Sequence, residues 1–273
     1  MLPEEPLAPQ DWVPPDVDTE RPSAARVYDY FLGGAHNFAA DRQLAEQMIA
    51  AYPSVTLMAR ENRAFLRRAV EFLVDAGVRQ FLDIGSGVPT VGHTHEIAQR
   101  AAPESRVVFV DIDPVAVAHS RLMLADNDRT TVIQEDVRRP EQILTHPETV
   151  RLLDLNEPVA VLLVALFHFV PDAADPPGIA SRLTEPLPSG SYLAISHLTD
   201  EAIDDADTGM DLYRRGGIDL TMRSRAEVEG LFAGLELVEP GVVWVPQWHP
   251  DPPGDVRGDP EASAFYGGVA RKP

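Results

Sequence analysis

The sequence predicts an α/β protein, a doubly wound and mostly parallel sheet of seven strands preceded by a cap of helices. Three observations carry that prediction. From residue 80 onward, short apolar runs alternate with segments of helical periodicity, the pattern of a parallel sheet with helices on both faces. The first apolar run, 81–84, leads into the turn Asp83-Ile84-Gly85-Ser86-Gly87. The second, 107–110, ends at Asp111.

Taken in order, the first 22 residues are rich in proline and acid and predict an arm with little regular structure, which Trp12 is placed to anchor. Residues 23–76 predict the helical cap. Ser23 stands where it can cap a helix bearing Val27, Tyr28, Phe31 and Leu32, and Gly33-Gly34 ends it. A second helix is expected over 39–51 before Pro53, and a third over 55–76, closing at Gly77. Residues 77–273 then carry the sheet. After strands 81–84 and 107–110 come 131–134, the nearly all-apolar 159–164 and 191–196, with helices over 93–100 and from Pro114 between them. A helix over 224–232 and strands at 235–238 and 264–270 finish the fold, with 244–258 as a loop.

Composition narrows the function. A formal charge of −20 opposes nucleic-acid and anionic-membrane partners, because phosphate binding needs a basic surface. No cysteine is present, which removes disulfides, thiolate metal sites and a cysteine nucleophile. No signal segment is evident, and the longest apolar run, 159–167, is too short to span a bilayer. A cytoplasmic protein is expected.

The two strand ends point to a nucleoside cofactor. Gly85 and Gly87 let the backbone bend sharply and approach a ligand, the next helix aims amide groups at it, and an acid closing the second strand suits ribose hydroxyls. In this the chain resembles a class I S-adenosylmethionine-dependent methyltransferase of Rossmann-like fold. Asp83 through Gly87 match the first motif, Asp111 (followed by Ile112) the ribose acid, and Glu135-Asp136-Val137 the segment beside adenine. Ala165 through His168 match the motif after strand four, and Leu187-Pro188-Ser189-Gly190 the entry to strand five. Residues 26–34, with Asn37-Phe38, Asp41 and Asn62-Arg63, resemble the signature of an actinobacterial family first grouped as a domain of unknown function and later labelled S-adenosyl methyltransferase. Pro89 replaces the third glycine of the usual first motif and removes an amide donor.

The resemblance implies S-adenosylmethionine as cofactor and a small-molecule methyl acceptor. It assigns cofactor binding to Arg63, Asp83, Gly85, Ser86, Gly87, Asp111, Ile112, Asp136, Val137 and Ala165. Two roles are open to several residues. Arg63 is either the partner of the cofactor's carboxylate or a solvated helix-face cation, and Asp136 either takes the adenine amino group or caps its own turn. Asp113, just before Pro114, reads as structural. For a catalytic base the candidates are His168 and Tyr28, with His197 behind them, against a packing role for each. His93 and His95 form an H-x-H pair without a third ligand, and no metal is expected. Two other functions stand beside methyl transfer: a non-catalytic S-adenosylmethionine or S-adenosylhomocysteine-binding protein, and a nicotinamide-dependent oxidoreductase, which Pro89 opposes. Neither the acceptor nor the oligomeric state is legible.

Overall fold

The computed structural model describes residues 17–89, 92–203, 206–251 and 258–273. Trp12 and most of the leading arm lie outside them. Three helices come first: α1 (Ala24–Phe31), α2 (Ala39–Ala51) and α3 (Val55–Asp75). The alternating unit follows as β1 (Gln80–Ile84), α4 (Thr94–Ala101), β2 (Arg106–Asp111), α5 (Pro114–Met123) and β3 (Thr130–Gln134). Two short helices, α6 (Pro140–Thr145) and α7 (Pro147–Leu152), lead to β4 (Ala160–Val164), α8 (Pro176–Thr184) and β5 (Tyr192–Leu198). The remainder is α9 (Ala206–Arg215), α10 (Arg225–Gly230), β6 (Glu236–Leu237), β7 (Val243–Trp244) and β8 (Phe265–Arg271).

The strands form one sheet in the order β3-β2-β1-β4-β5-β8-β6, with β7 also paired to β8. Strands β1 to β5 are parallel, and β8 runs antiparallel to β5, β6 and β7. The sheet therefore has eight strands, one more than expected. The extra one, β7, straddles the start of the segment read as a loop, and a two-residue strand has no periodicity to betray it. It is held by the register Trp244 to Tyr266 and by the stacking of those rings, 4.0 Å apart.

Alternation along the strands builds two cores. Phe81, Phe109 and Leu162 face one layer, which also takes Val27 and Phe31 from α1, Met48 from α2 and Phe65 and Leu66 from α3. Leu82, Val108 and Leu163 face the other, against Ile143, Ile179 and Val228. Complete burial of each such side chain contributes about 1.5–3 kcal/mol. The capping helices thus share a core with the sheet.

Strand order reverses between β1 and β4, with β2 on one side and β5 on the other. A crevice opens outside the carboxyl ends of the strands at such a switch point. The site lies there.

Candidate functional site

The crevice widens into a cavity of about 1060 Å³, lined by every residue assigned above to cofactor binding and by His168 and Tyr28, while His197 is not among its lining residues. Its floor is the turn after β1. Gly85 and Gly87 adopt φ of 75° and 68°, and the Gly85 and Ser86 amides both donate to Val110 O, at 2.7 and 3.2 Å. Nothing lies within 4 Å of a Cβ built on Gly87, whereas one on Gly85 would meet Leu166 Cδ1 at 2.7 Å. The close neighbour that requires glycine at 85 is therefore a side chain from beyond β4.

Two acids brace this turn. Asp83 accepts from Thr94 Oγ1 at 2.6 Å, which ties β1 to α4. Asp111 accepts from the Gly87 amide at 2.7 Å and from the Asp113 amide at 2.8 Å. Burial raises both carboxyls to about 6. Ile112 lies beside them, 59% exposed, and presents an unusually bare apolar surface to the cavity. Asp136 is held by Arg138, whose Nε donates to its two oxygens at 3.0 and 2.8 Å, and it accepts from the Arg138 amide at 2.9 Å. Desolvation raises this carboxyl, but the combined Arg138 contacts outweigh it and leave the group below its ordinary range. Asp136 is thus seen capping its own turn. Arg63 lines the cavity and donates to Gly92 O at 3.2 Å, across the opening of α4.

Neither leading base candidate is poised to take a proton. The Tyr28 hydroxyl donates to Ala59 O at 3.0 Å and accepts from Asn62 Nδ2 at 2.9 Å, and burial raises its phenol. His168 is 3% exposed, and its Nδ1 accepts from the Leu198 amide at 3.5 Å. Burial, then His197 and Arg223, hold it well below 6.5. His197 receives Arg223 Nη1 on its Nε2 at 2.8 Å and faces Leu198 O with Nδ1 at 2.7 Å; burial lowers it to about 4. The H-x-H pair flanks Phe109, with His93 leading α4, and among the described residues no group of three or more His, Asp or Glu is arranged for a metal ion.

Other connections were not anticipated. Asn62 Oδ1 accepts from Ser196 Oγ at 2.5 Å, and Ser196 Oγ accepts from the Ala165 amide at 2.9 Å. Tyr28, α3, β5 and the end of β4 are thereby joined in one buried chain. Arg223 donates to Phe167 O and Val170 O, both at 2.9 Å, and fixes the segment after β4. Arg26, 4% exposed, pairs with Asp41 at 2.9 Å and Asp113 at 3.3 Å, and Ser23 Oγ also donates to Asp113. Asp113 additionally accepts from the Val115 amide at the start of α5, so its structural reading stands and extends to holding α1. Arg26 lay within a recognisable signature; Arg223 and Ser196 lay in none.

Cofactor fit can be judged from the chain itself. The turn offers open space above Gly87, and Ser86 Oγ is buried without a hydrogen-bond partner. Asp111 closes the second strand, and the cavity exceeds the volume of about 300–1,000 Å³ usual for one ligand. These features accommodate an adenosyl group with a second molecule beside it. They define a doubly wound nucleoside-cofactor protein.

Comparison makes the class specific. Residues 10–273 match the S-adenosyl methyltransferase family, and the chain belongs to it. Its cofactor is S-adenosylmethionine and its enzyme class methyltransferase. Among solved structures, a DUF574 family protein from Streptomyces avermitilis MA-4680 is 45% identical, with a TM-score of 0.90 over 94% of this chain and 99% of that one. A protein from Thermobifida fusca YX, named as a candidate methyltransferase, is 41% identical, with a TM-score of 0.89 over 96% and 99%. The N-methyltransferase NodS from Bradyrhizobium japonicum WM9 shares 15% identity and a TM-score of 0.50 over 91% and 99%, a likeness of fold. No curated protein matches. No helix among the described residues is long and apolar enough to cross a membrane.

Proposed function

We propose that the protein transfers the methyl group of S-adenosylmethionine to a small molecule bound under α1 and α2. The observation that carries this is one continuous cavity running from the Gly85–Gly87 floor to residues of α1, α2 and α9. Gly85, Ser86 and Gly87 receive the cofactor's amino-acid portion, with Arg63 turning to its carboxylate. Asp111 accepts from the ribose hydroxyls, a charge-assisted bond in a dry site. Ile112 and Val137 flank the adenine, and Asp136 takes its amino group once Arg138 yields. Ala165, at φ 54° and tied to Ser196, sets the backbone beside the acceptor.

Bound S-adenosylmethionine supplies an activated methyl group, whose carbon–sulfur bond breaks as the bond to the acceptor forms, leaving S-adenosylhomocysteine. The chain's share is alignment and exclusion of water. Residues 23–76 act as the cap that closes the site, and the proton of the methylated acceptor passes to water when the cap opens rather than to His168 or Tyr28. The charge of −20 supports a small-molecule rather than a nucleic-acid acceptor and is compatible with a cytoplasmic protein.

Calorimetric titration with S-adenosylmethionine, S-adenosylhomocysteine and NAD, followed by transfer of labelled methyl to a metabolite panel, tests the reading. Tight binding of the first two, none of NAD and label on one acceptor are expected. The lack of a poised base gives one specific reason to retain a second reading, a binding protein for the cofactor pair. Tight binding without turnover across the panel would favour it.

A further inference from the structure

The half of the cavity away from the cofactor has its own chemistry. Its walls include Met48 of α2, Tyr52 just beyond the end of α2, Phe169, Tyr213 of α9, Met222 and Phe265. The two lining cations among the described residues, Arg63 and Arg138, are bonded to Gly92 O and to Asp136, at the end given to the cofactor. Three lining acids, Glu201, Asp259 and Glu261, come from segments beyond β5. Glu201 accepts from the Tyr266 hydroxyl at 2.7 Å, and Asp259 Oδ1 from the Glu261 amide at 3.1 Å, so both are fixed in place.

One wall is built with unusual closeness. Gly209 of α9 donates its amide to the Tyr52 hydroxyl at 2.9 Å. A Cβ on Gly209 would meet Tyr52 Cε2 at 2.9 Å and Cζ at 3.4 Å. The ring therefore lies directly on the α9 backbone, and glycine at 209 is what admits it. A glycine inside a helix is destabilising against alanine, a penalty that this seat explains.

Building on the methyl-transfer reading, we propose that the acceptor is an apolar, ring-bearing molecule with no anionic group, held between α2, α9 and the Phe169–Met222 wall. In this assignment Tyr52, seated by Gly209, sets the size of ring admitted. Flat aromatic neighbours suit a planar partner through offset and edge contacts. An anionic acceptor would leave water for a wall with three carboxylates nearby and, among the described residues, no lining cation beyond Arg63 and Arg138, a double penalty of desolvation and like-charge repulsion. A neutral hydroxyl meets neither; a protonated amine pays desolvation but is drawn to the carboxylates, and sheds its proton before its nitrogen can take a methyl group.

The test uses the full chain saturated with S-adenosylhomocysteine and three probes sharing one ring system: naphthol, naphthylmethylamine and naphthoate. Calorimetry should show the first two binding and naphthoate weaker by about tenfold or more. Gly209→Val, which evicts the Tyr52 ring, should weaken both binding probes by about tenfold while S-adenosylhomocysteine affinity moves less than about twofold. If that variant does not fold, Tyr52→Leu, checked by its melting curve, should show the same split. Equal or tighter binding of naphthoate overturns the proposal, as does failure of all three probes on a protein that still binds S-adenosylhomocysteine. Unchanged probe affinity in a folded Tyr52→Leu protein overturns the role of Tyr52. Failure to bind S-adenosylhomocysteine at all removes the methyl-transfer reading beneath it.

Discussion

Asp111 accepts from the amide of Gly87 at 2.7 Å, so the acid that ends β2 closes the turn that ends β1. One carboxylate oxygen holds this turn and the other the Asp113 amide. The residue proposed to meet the ribose therefore also shapes the backbone of the glycine turn.

Asp111→Ala should weaken S-adenosylmethionine binding by about 1.5–3 kcal/mol, the range for hydrogen bonds to a charged group. Asp111→Asn, which keeps one acceptor, should lose less. Titration calorimetry on variants with intact melting transitions measures both, and wild-type affinity in Asp111→Ala would remove the residue from the site.

Gly85→Ala should reduce both stability and cofactor affinity, because φ of 75° strains any side chain and the new methyl meets Leu166. Adding Leu166→Ala should recover part of the stability by relieving the contact, a coupling expected of neighbours. Strict additivity of the two substitutions in urea unfolding would refute the contact.

Arg26→Met should destabilise the protein by about 3–5 kcal/mol, because it leaves the buried carboxylates of Asp41 and Asp113 without their cation. Hydrogen exchange should then rise across residues 23–51 and at the start of α5. A rise confined to α1 would show that Asp113 does not hold the cap.

Acidification from pH 7 toward 4.5 should destabilise the fold. Burial keeps His93 at about 3, His197 at about 4 and His168 well below 6.5, so the unfolded chain takes up protons that the folded one refuses. Each contributes a slope of up to about 1.4 kcal/mol per pH unit, with stability rising with pH through 6.5. Asp83 and Asp111, raised to about 6, and Asp29, also raised, act oppositely, losing stability as pH rises from about 4 to 6, but with His95 and His119 also lowered the five histidines outnumber them. Urea midpoints across this range, with His168 ring resonances followed by NMR, provide the check. An unfolding midpoint that climbs on acidification, or a His168 ring titrating near 6.5, contradicts the assignment.

Much of the frame was legible because it rests on periodicity and turn chemistry. Helix α2 falls on the expected residues 39–51, Pro114 begins α5, and β1 to β5 lie within two residues of the expected bounds. β7 escaped because two residues carry no period. The turn glycines and Asp111 were readable because local backbone demands select them. What Tyr28 and His168 touch was not, since Ala59, Asn62, Leu198 and Arg223 are brought to them only by folding. Nor could spacing show that Asp136 faces its own Arg138, or that Gly209 lies against a ring 157 positions away.

The junction at Asp113 constrains how such a protein can diversify. The acid that secures the first helix stands two residues from the one assigned to the ribose, so Ser23, Arg26 and Asp41 cannot drift without disturbing the donor half of the site. Tyr52 and Gly209 are tied instead to each other. On the proposed reading a change around Asp113 therefore reaches the methyl donor, whereas a change at the Tyr52–Gly209 seat reaches the wall that meets the acceptor.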